Sequence, residues 1–477
     1  MSAVSEPLAV VQAAPPAPEM NARTRLLLTG PILPTLLALA WPNVLVMLAQ
    51  ASTGLIETWW VSKLGPDALA GMALVFPGFM MMGMLSAGAV GGGVASAVAR
   101  ALGAGRRYDA DALVAHALWI HLALGLATSA VFLLFGREIY SAMGGRGASL
   151  DAALAYSNVV FAGNVLLWIT NALASVIRGS GNMWFPSLTV CLAVVLLVPL
   201  SPLLIFGFGP FPALGIAGGG LAVVATTALM LVILGWYVAF GAGLVRLRRT
   251  KLHWAFFADI LRVGAVGSLS TLQKTLTVAL TTAIVGAAAG PVGVAGYGTG
   301  SRLEYLLIPL VFGLGSPLVA MVGANIGAGD SARALRIALT GAALSFAATE
   351  AIGLAAAIWP GAWLGLFGDD PGMIATGSAY LRWVGPAYGF FGLGLSLYFA
   401  SQGAGRLLWP LLGGLLRLVI AVLGGALALR LTGSLASVFA MLALGLAAYG
   451  VTVAVAVRSG VWFVGRRPLS PRGRGSG

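Results

Sequence analysis

The chain has 477 residues, 59% hydrophobic and only 9% charged, with 27 basic and 14 acidic side chains for a formal charge of +13. A soluble fold of this length needs roughly a quarter of its residues charged, so soluble, disordered and fibrous classes are excluded; the mean hydropathy of +0.96 leaves a polytopic membrane protein. The single cysteine, Cys191, lies in an apolar run and excludes an internal disulfide and a Cys-based metal site.

Residues 1–32, with Pro15, Pro16 and Pro18 among scattered polar residues, lack the apolar core of a signal peptide and read as a disordered cytoplasmic tail. Apolar stretches then recur at 33–61, 68–99, 112–135, 152–177, 184–207, 213–240, 259–287, 293–325, 333–359, 374–401, 407–430 and 435–463. Each is predicted to be a transmembrane helix, because lipid offers the backbone no other partner for its hydrogen bonds. The fold class is therefore all-α, with twelve transmembrane helices. They divide into an N-lobe over 33–241 and a C-lobe over 259–463, with a basic linker at 242–258 and a basic tail at 464–477.

With the N-terminus inside, the inside segments carry 19 Lys and Arg, while the outside segments carry Lys63, Arg137, Arg146 and Arg430 alone. That bias puts both termini in the cytoplasm of a cell (inner) membrane protein. The excess positive charge sets orientation here, and no nucleic-acid partner is expected.

Landmarks recur at a fixed distance. Gly103-Ala104-Gly105 returns as Gly327-Ala328-Gly329, and Gly179-Ser180-Gly181 as Gly403-Ala404-Gly405, both 224 residues on. Tyr156 and Tyr380 keep the same offset, and Gly65-Pro66 returns 225 later as Gly290-Pro291. Two copies of a six-helix unit have the same topology, so the lobes are predicted to be related by a pseudo-two-fold axis along the membrane normal. Halves of this kind face a shared cavity in two-lobed transporters.

These residues resemble the multidrug and toxic compound extrusion (MATE) family. The first helix ends Gly54-Leu-Ile-Glu57-Thr-Trp-Trp-Val-Ser-Lys-Leu-Gly65-Pro, helices two and eight end in Gly-Ala-Gly, and Arg302-Leu-Glu304, Tyr380-Leu-Arg382 and Tyr398-Phe-Ala-Ser-Gln402-Gly-Ala-Gly405 are similar to the DinF-like branch. The resemblance runs from about 33 to 463. It implies a cation-coupled antiporter that exports amphipathic, often cationic, organic compounds, with an ion-carrying N-lobe carboxylate at Glu57. Three positions depart from the pattern. Glu57 stands where Asp is more usual, and Leu197 and Ser201 stand where branch members often carry Asn and Asp.

An ionisable side chain at bilayer depth costs at least ~2.5–3.5 kcal/mol and is a functional candidate by default. Glu57 in the outer half of helix one can take a proton from outside and release it inside. A sodium ion wants about six oxygen ligands, and the missing Asn and Asp leave too few, which favours H+ over Na+ as the coupling ion. Lys274 sits mid-span beside Gln273, and its repeat counterpart is Ala49, so the fold does not demand the charge. It is the counter-ion of Glu57 or Glu304, a second titrating site, or half of a fixed salt bridge. Arg302 and Glu304 are two apart, cannot face each other, and need partners on other helices; Lys274 is available to Glu304. Arg382 can snorkel outward, and Arg382 and Arg417 read as structural because guanidinium does not release its proton. Glu350 on helix nine also reads as structural, and Gln402 on helix ten joins the cavity's polar lining.

The remaining motifs carry no chemistry. His116 and His121 lie roughly 140° apart around their helix and cannot share a metal. Met80, Met81, Met82 and Met84 surround helix two and read as packing. Prolines at 42, 77, 186, 199, 309 and 317 are expected to interrupt helices. No HExxH, GxSxG or Walker loop is present. The expectation is a monomeric, non-enzymatic exporter of organic cations, without cofactor, in contact with membrane lipid. A lipid-linked oligosaccharide flippase of the same superfamily is the alternative; it would want a cavity richer in cations.

Overall fold

A computed structural model describes residues 21–208, 212–241, 243–460 and 462. The expected tails at 1–20 and 464–477 lie outside the described residues. Residues Ala22–Thr29, inside the stretch expected to be disordered, form a helix, α1. Asn21 Oδ1 accepts the Arg23 N–H at 3.0 Å to start it, and Leu27 is buried. Eight residues are too few for hydrophobic periodicity to declare itself.

The first span is α2 (Ile32–Ser62), and the second joins α3 (Pro66–Gly83) to α4 (Gly91–Gly103) through a π-helical segment, Met84–Val90. The third is α5 (Arg107–Ala142). In the fourth, α6 (Gly147–Ala162) and α7 (Asn164–Gly179) meet at 45°. The fifth and sixth are α8 (Trp184–Phe206) and α9 (Ile216–Phe240).

The helix α10 (Trp254–Ala328) has 75 residues. At 1.5 Å per residue it would reach about 110 Å if straight, against a hydrocarbon core of ~30 Å. It is two spans, separated where Gly290 takes φ +62° ahead of Pro291. The ninth span is α11 (Ser331–Ile358), followed by the short α12 (Pro360–Leu364). The tenth joins α13 (Pro371–Val384) to α14 (Tyr388–Ala404) through a 3₁₀ turn at Gly385–Ala387. The eleventh runs from α15 (Leu408–Leu418) through a π segment, Val419–Gly424, into α16 (Gly425–Thr432), and α17 (Leu435–Arg458) is the twelfth.

Among the described residues, twelve spans thus fall where the apolar stretches put them. The prolines behave differently. Pro42, Pro77, Pro199, Pro309 and Pro317 lie within helices that continue through them, and Pro186 sits in the first turn of α8. A lone proline removes one hydrogen bond, which a neighbouring helix or side chain can make good. The breaks fall instead at Gly163, at Gly385–Ala387 and at the two π segments.

The repeat is written in the backbone. Gly65 and Gly290, Gly105 and Gly329, and Gly181 and Gly405 form three pairs at the sequence offset, and all six residues have positive φ. Packing repeats too. A Cβ on Gly179 would lie 2.6 Å from the carbonyl oxygen of Ala95, and one on Gly403 would lie 2.6 Å from that of Val319, again 224 residues on. One apolar cluster centres on Phe161 and Trp168 of the N-lobe; the other, around Tyr380, Phe391 and Phe439 of the C-lobe, also takes in Leu36, Leu39 and Ala95 of the N-lobe.

Between the lobes, a Cβ on Gly103 would strike the carbonyl of Ala324, and one on Gly327 would strike the carbonyl of Arg100. This contact is reciprocal under the same offset, as a pseudo-two-fold axis requires. It closes the bundle at the end that carries α1 and the linker. Polar links surround it. Ser96 Oγ reaches the carbonyls of Gln402 (2.5 Å) and Gly403 (3.0 Å). Arg100 donates to Ser96 Oγ and to Gly403 O, and pairs with Asp259 at 2.8 Å. α1 spans both lobes as well: Asn325 Nδ2 donates to Leu27 O (3.0 Å), Arg333 to Gly30 O, and Arg23 to the Tyr237 hydroxyl (3.3 Å).

Within the expected linker, α10 starts at Trp254, and the preceding residues are pinned to α5. The backbone N–H of Arg246 donates to Asp111 (2.8 Å), and that of His253 donates to His116 Nε2 (2.9 Å). His121 points elsewhere, toward the Ser86 carbonyl at 3.2 Å.

Candidate functional site

Glu57 lies in the last two turns of α2, inside the N-lobe, with 8% of its surface exposed. Among the described residues its Oε1 has no hydrogen-bond partner and the carboxyl group no ion pair. The Trp60 indole N–H one turn on is likewise unpartnered among them, and its ring stands 6.0 Å from Phe206. Tyr156 of α6 lies within electrostatic reach of the carboxyl group. On α8, which packs against α2, Leu197 and Ser201 are both buried, and Ser201 Oγ has no partner among the described residues. A carboxyl group without a cation beside it can carry a net charge change when it gains or loses a proton.

A separate cavity opens inside the C-lobe toward the π segment of the second span. Lys274, Glu304 and Arg417 line it with Tyr297, Tyr380, Tyr398, Phe312, Phe391, Phe399 and several Thr side chains, while Met84 and Gly88 close it from the N-lobe. Arg417 Nη2 pairs with Glu304 Oε1 at 2.9 Å and lies over the Phe391 ring. Arg417, not Lys274, is therefore the partner of Glu304. Lys274 instead holds its ammonium 4.9 Å from the centre of the Tyr398 ring, and among the described residues it makes no ion pair or hydrogen bond.

The other predicted residues lie outside this group. Gln273 Nε2 donates to Gly414 O at 2.5 Å and ties α10 to α15. Arg302 is exposed and lies over Phe367, 5.5 Å from the ring centre, and Arg382 is exposed too. Glu350 accepts the Gly389 N–H at 2.7 Å, capping the first turn of α14 where the tenth span breaks. Gln402 Nε2 donates across the lobes to Gly88 O at 3.0 Å, a carbonyl within the π segment. The structure thus brings together Lys274, Glu304 and Arg417, and places Glu57 apart from them in the other lobe.

Sequence reasoning missed the cavity's hydroxyl stripe. Thr271, Lys274 with Thr275, Thr277 and Thr281 return at each turn of the seventh span, a helical period that signals one polar face. Asp111 and His116 were also missed as anchors of the linker, because each sits at the end of an otherwise apolar helix.

A MatE family model matches the chain twice, over residues 42–203 and 268–427, once in each lobe and over most of the chain. The chain belongs to the MATE family. An FAD transporter of Shewanella oneidensis is 28% identical over 403 residues, covering 83% of this chain and 88% of that protein. A probable multidrug resistance protein NorM of Thermotoga maritima is 24% identical, covering 79% and 81%. Among solved structures, a MATE protein in its bent conformation superposes with a TM-score of 0.86 at 23% identity, over 93% of this chain and 98% of that one. A MOP superfamily transporter from Pyrococcus furiosus gives 0.84 at 23% identity, with the same coverage. MATE proteins are membrane transporters rather than enzymes, and this chain is a multi-pass transporter of that family.

Proposed function

We propose that this MATE protein exports amphipathic organic compounds, cations among them, in exchange for protons, with Glu57 as the proton carrier. The observation that carries the reading is the buried Glu57 carboxyl group, which has no ion pair among the described residues. A cation entering the N-lobe competes with the proton for that carboxylate. In the C-lobe Glu304 is already held by Arg417. Sodium is the weaker choice, because Leu197 offers no side-chain oxygen and Ser201 only one against the roughly six oxygen ligands that a hard cation prefers.

Relatives named as multidrug resistance proteins support the efflux of small organic compounds, and the Shewanella relative adds a flavin dinucleotide to the compounds to be tried. The reading places both termini in the cytoplasm, by the distribution of basic residues, and the protein as a monomer in the inner membrane. The closed end of the bundle is then cytoplasmic, and alternating access proceeds by opening it while the far end closes.

The test is efflux of ethidium from cells lacking their own pumps, with wild type and Glu57→Gln compared while the proton or the sodium gradient is collapsed. Efflux lost in Glu57→Gln and on proton collapse, but kept on sodium collapse, is expected. Loss on sodium collapse alone, or unimpaired efflux by Glu57→Gln, would overturn the assignment.

A further inference from the structure

The C-lobe cavity is a binding site of a different polarity from the N-lobe carboxyl group. Three charges line it: Lys274, Arg417 and Glu304. The last two neutralise each other at 2.9 Å, which leaves one positive charge over. A cationic ligand would meet that charge with no free carboxylate to set against it.

The donors and acceptors assign different parts of a ligand to different walls. The Thr271, Thr275, Thr277 and Thr281 hydroxyls spend their protons on carbonyls of the preceding turn, at 2.8–3.2 Å. Those oxygens can accept hydrogen bonds from a ligand but have no proton to give it. The Lys274 ammonium has three donors and, among the described residues, no hydrogen bond or ion pair; it stands against the Tyr398 ring, within electrostatic reach of the Glu304–Arg417 pair. A burden of this kind in an apolar enclosure is relieved by an anionic oxygen, which turns an unpaired ammonium into a charge-assisted hydrogen bond. The walls are aromatic, and flat ring systems stack well on such surfaces.

We infer that this cavity binds a heteroaromatic organic anion, with its carboxylate or phosphate on Lys274, its ring among the aromatic walls, and its own N–H or O–H groups on the threonine hydroxyls. The inference rests on the reading of the chain as an exporter of organic compounds and names a cargo class for its second lobe. An anionic lipid headgroup shares the anionic chemistry, but it brings no ring for the walls.

The experiment uses the full chain in nanodiscs of zwitterionic lipid and measures equilibrium binding of riboflavin 5′-phosphate against riboflavin, which share one ring and differ by the phosphate. Wild type should bind the phosphate form about 10-fold more tightly, the size of one charge-assisted hydrogen bond. Lys274→Gln should erase that preference, while Lys274→Arg should retain most of it. Equal affinity for the two ligands in wild type, or a preference that survives Lys274→Gln, would overturn the inference. Displacement of the phosphate form by added phosphatidylglycerol would overturn it in favour of lipid. Because binding is read without any ion gradient, absence of proton coupling at Glu57 leaves the result untouched, and the two readings fail separately.

Discussion

Arg417→Met would leave the Glu304 carboxylate inside the C-lobe without the guanidinium now 2.9 Å from it. Removing one member of a largely buried pair exposes the other's desolvation cost, here roughly 3 kcal/mol, whereas removing both together costs much less. Thermal unfolding should therefore show Arg417→Met and Glu304→Gln each markedly destabilised and the double variant close to wild type; additive losses would mean that the two do not stabilise each other. The candidates themselves were legible in sequence, because an ionisable side chain stands out in an apolar span. Their pairing was not. Glu304 and Arg417 lie 113 residues apart, and only the packing of the eighth span against the eleventh joins them. Lys274 showed the reverse problem: its charge was plain, and its lack of a carboxylate partner needed the fold.

At the scale of elements, the second and eighth spans cross where Gly103 and Gly327 stand, and any side chain there holds the backbones apart. Gly103→Val should keep the α1 end of the bundle from closing. The check is a cysteine at Ser96, which now lies buried against the carbonyls of Gln402 and Gly403. With Gly103→Val its maleimide labelling from that end should rise severalfold; unchanged labelling would mean that the crossing does not control closure. The repeated Gly-Ala-Gly elements were visible in sequence because a positive φ demands glycine. The π segments were not, since no residue type marks an i→i+5 hydrogen bond, although one of them offers the Gly88 carbonyl to Gln402. α1 escaped for a different reason: side chains of distant helices, Asn325 and Arg333, hold the carbonyls of Leu27 and Gly30, and a contact to the backbone leaves no pattern in α1's own residues.

For the molecule as a whole, a family match to each lobe implies that each half folds as a unit, and the N-lobe side chains Leu36, Leu39 and Ala95 that join the C-lobe cluster hold the halves together. Residues 1–249 and 250–477, expressed as two chains, should co-purify and restore efflux, since the cut falls in the linker between the Asp111 and His116 anchors. Halves that purify separately would show that covalent linkage is needed to hold the lobes together. Twelve spans and their pairing into lobes could be read from hydropathy and spacing, because those depend on local composition. Which end of the bundle is shut depends on a balance between two global arrangements, and no local pattern encodes it.

The bare crossing of Gly103 and Gly327 also bears on tempo. A seam made of carbonyls and Cα atoms has no side chain at its centre to be trimmed, so fine adjustment of closure falls to the periphery. Arg100 and Asp259 sit there, with Asp259 49% exposed. Salt screens such a pair, so the cycling rate should drift only mildly with ionic strength, while one added methyl group at the seam resets it.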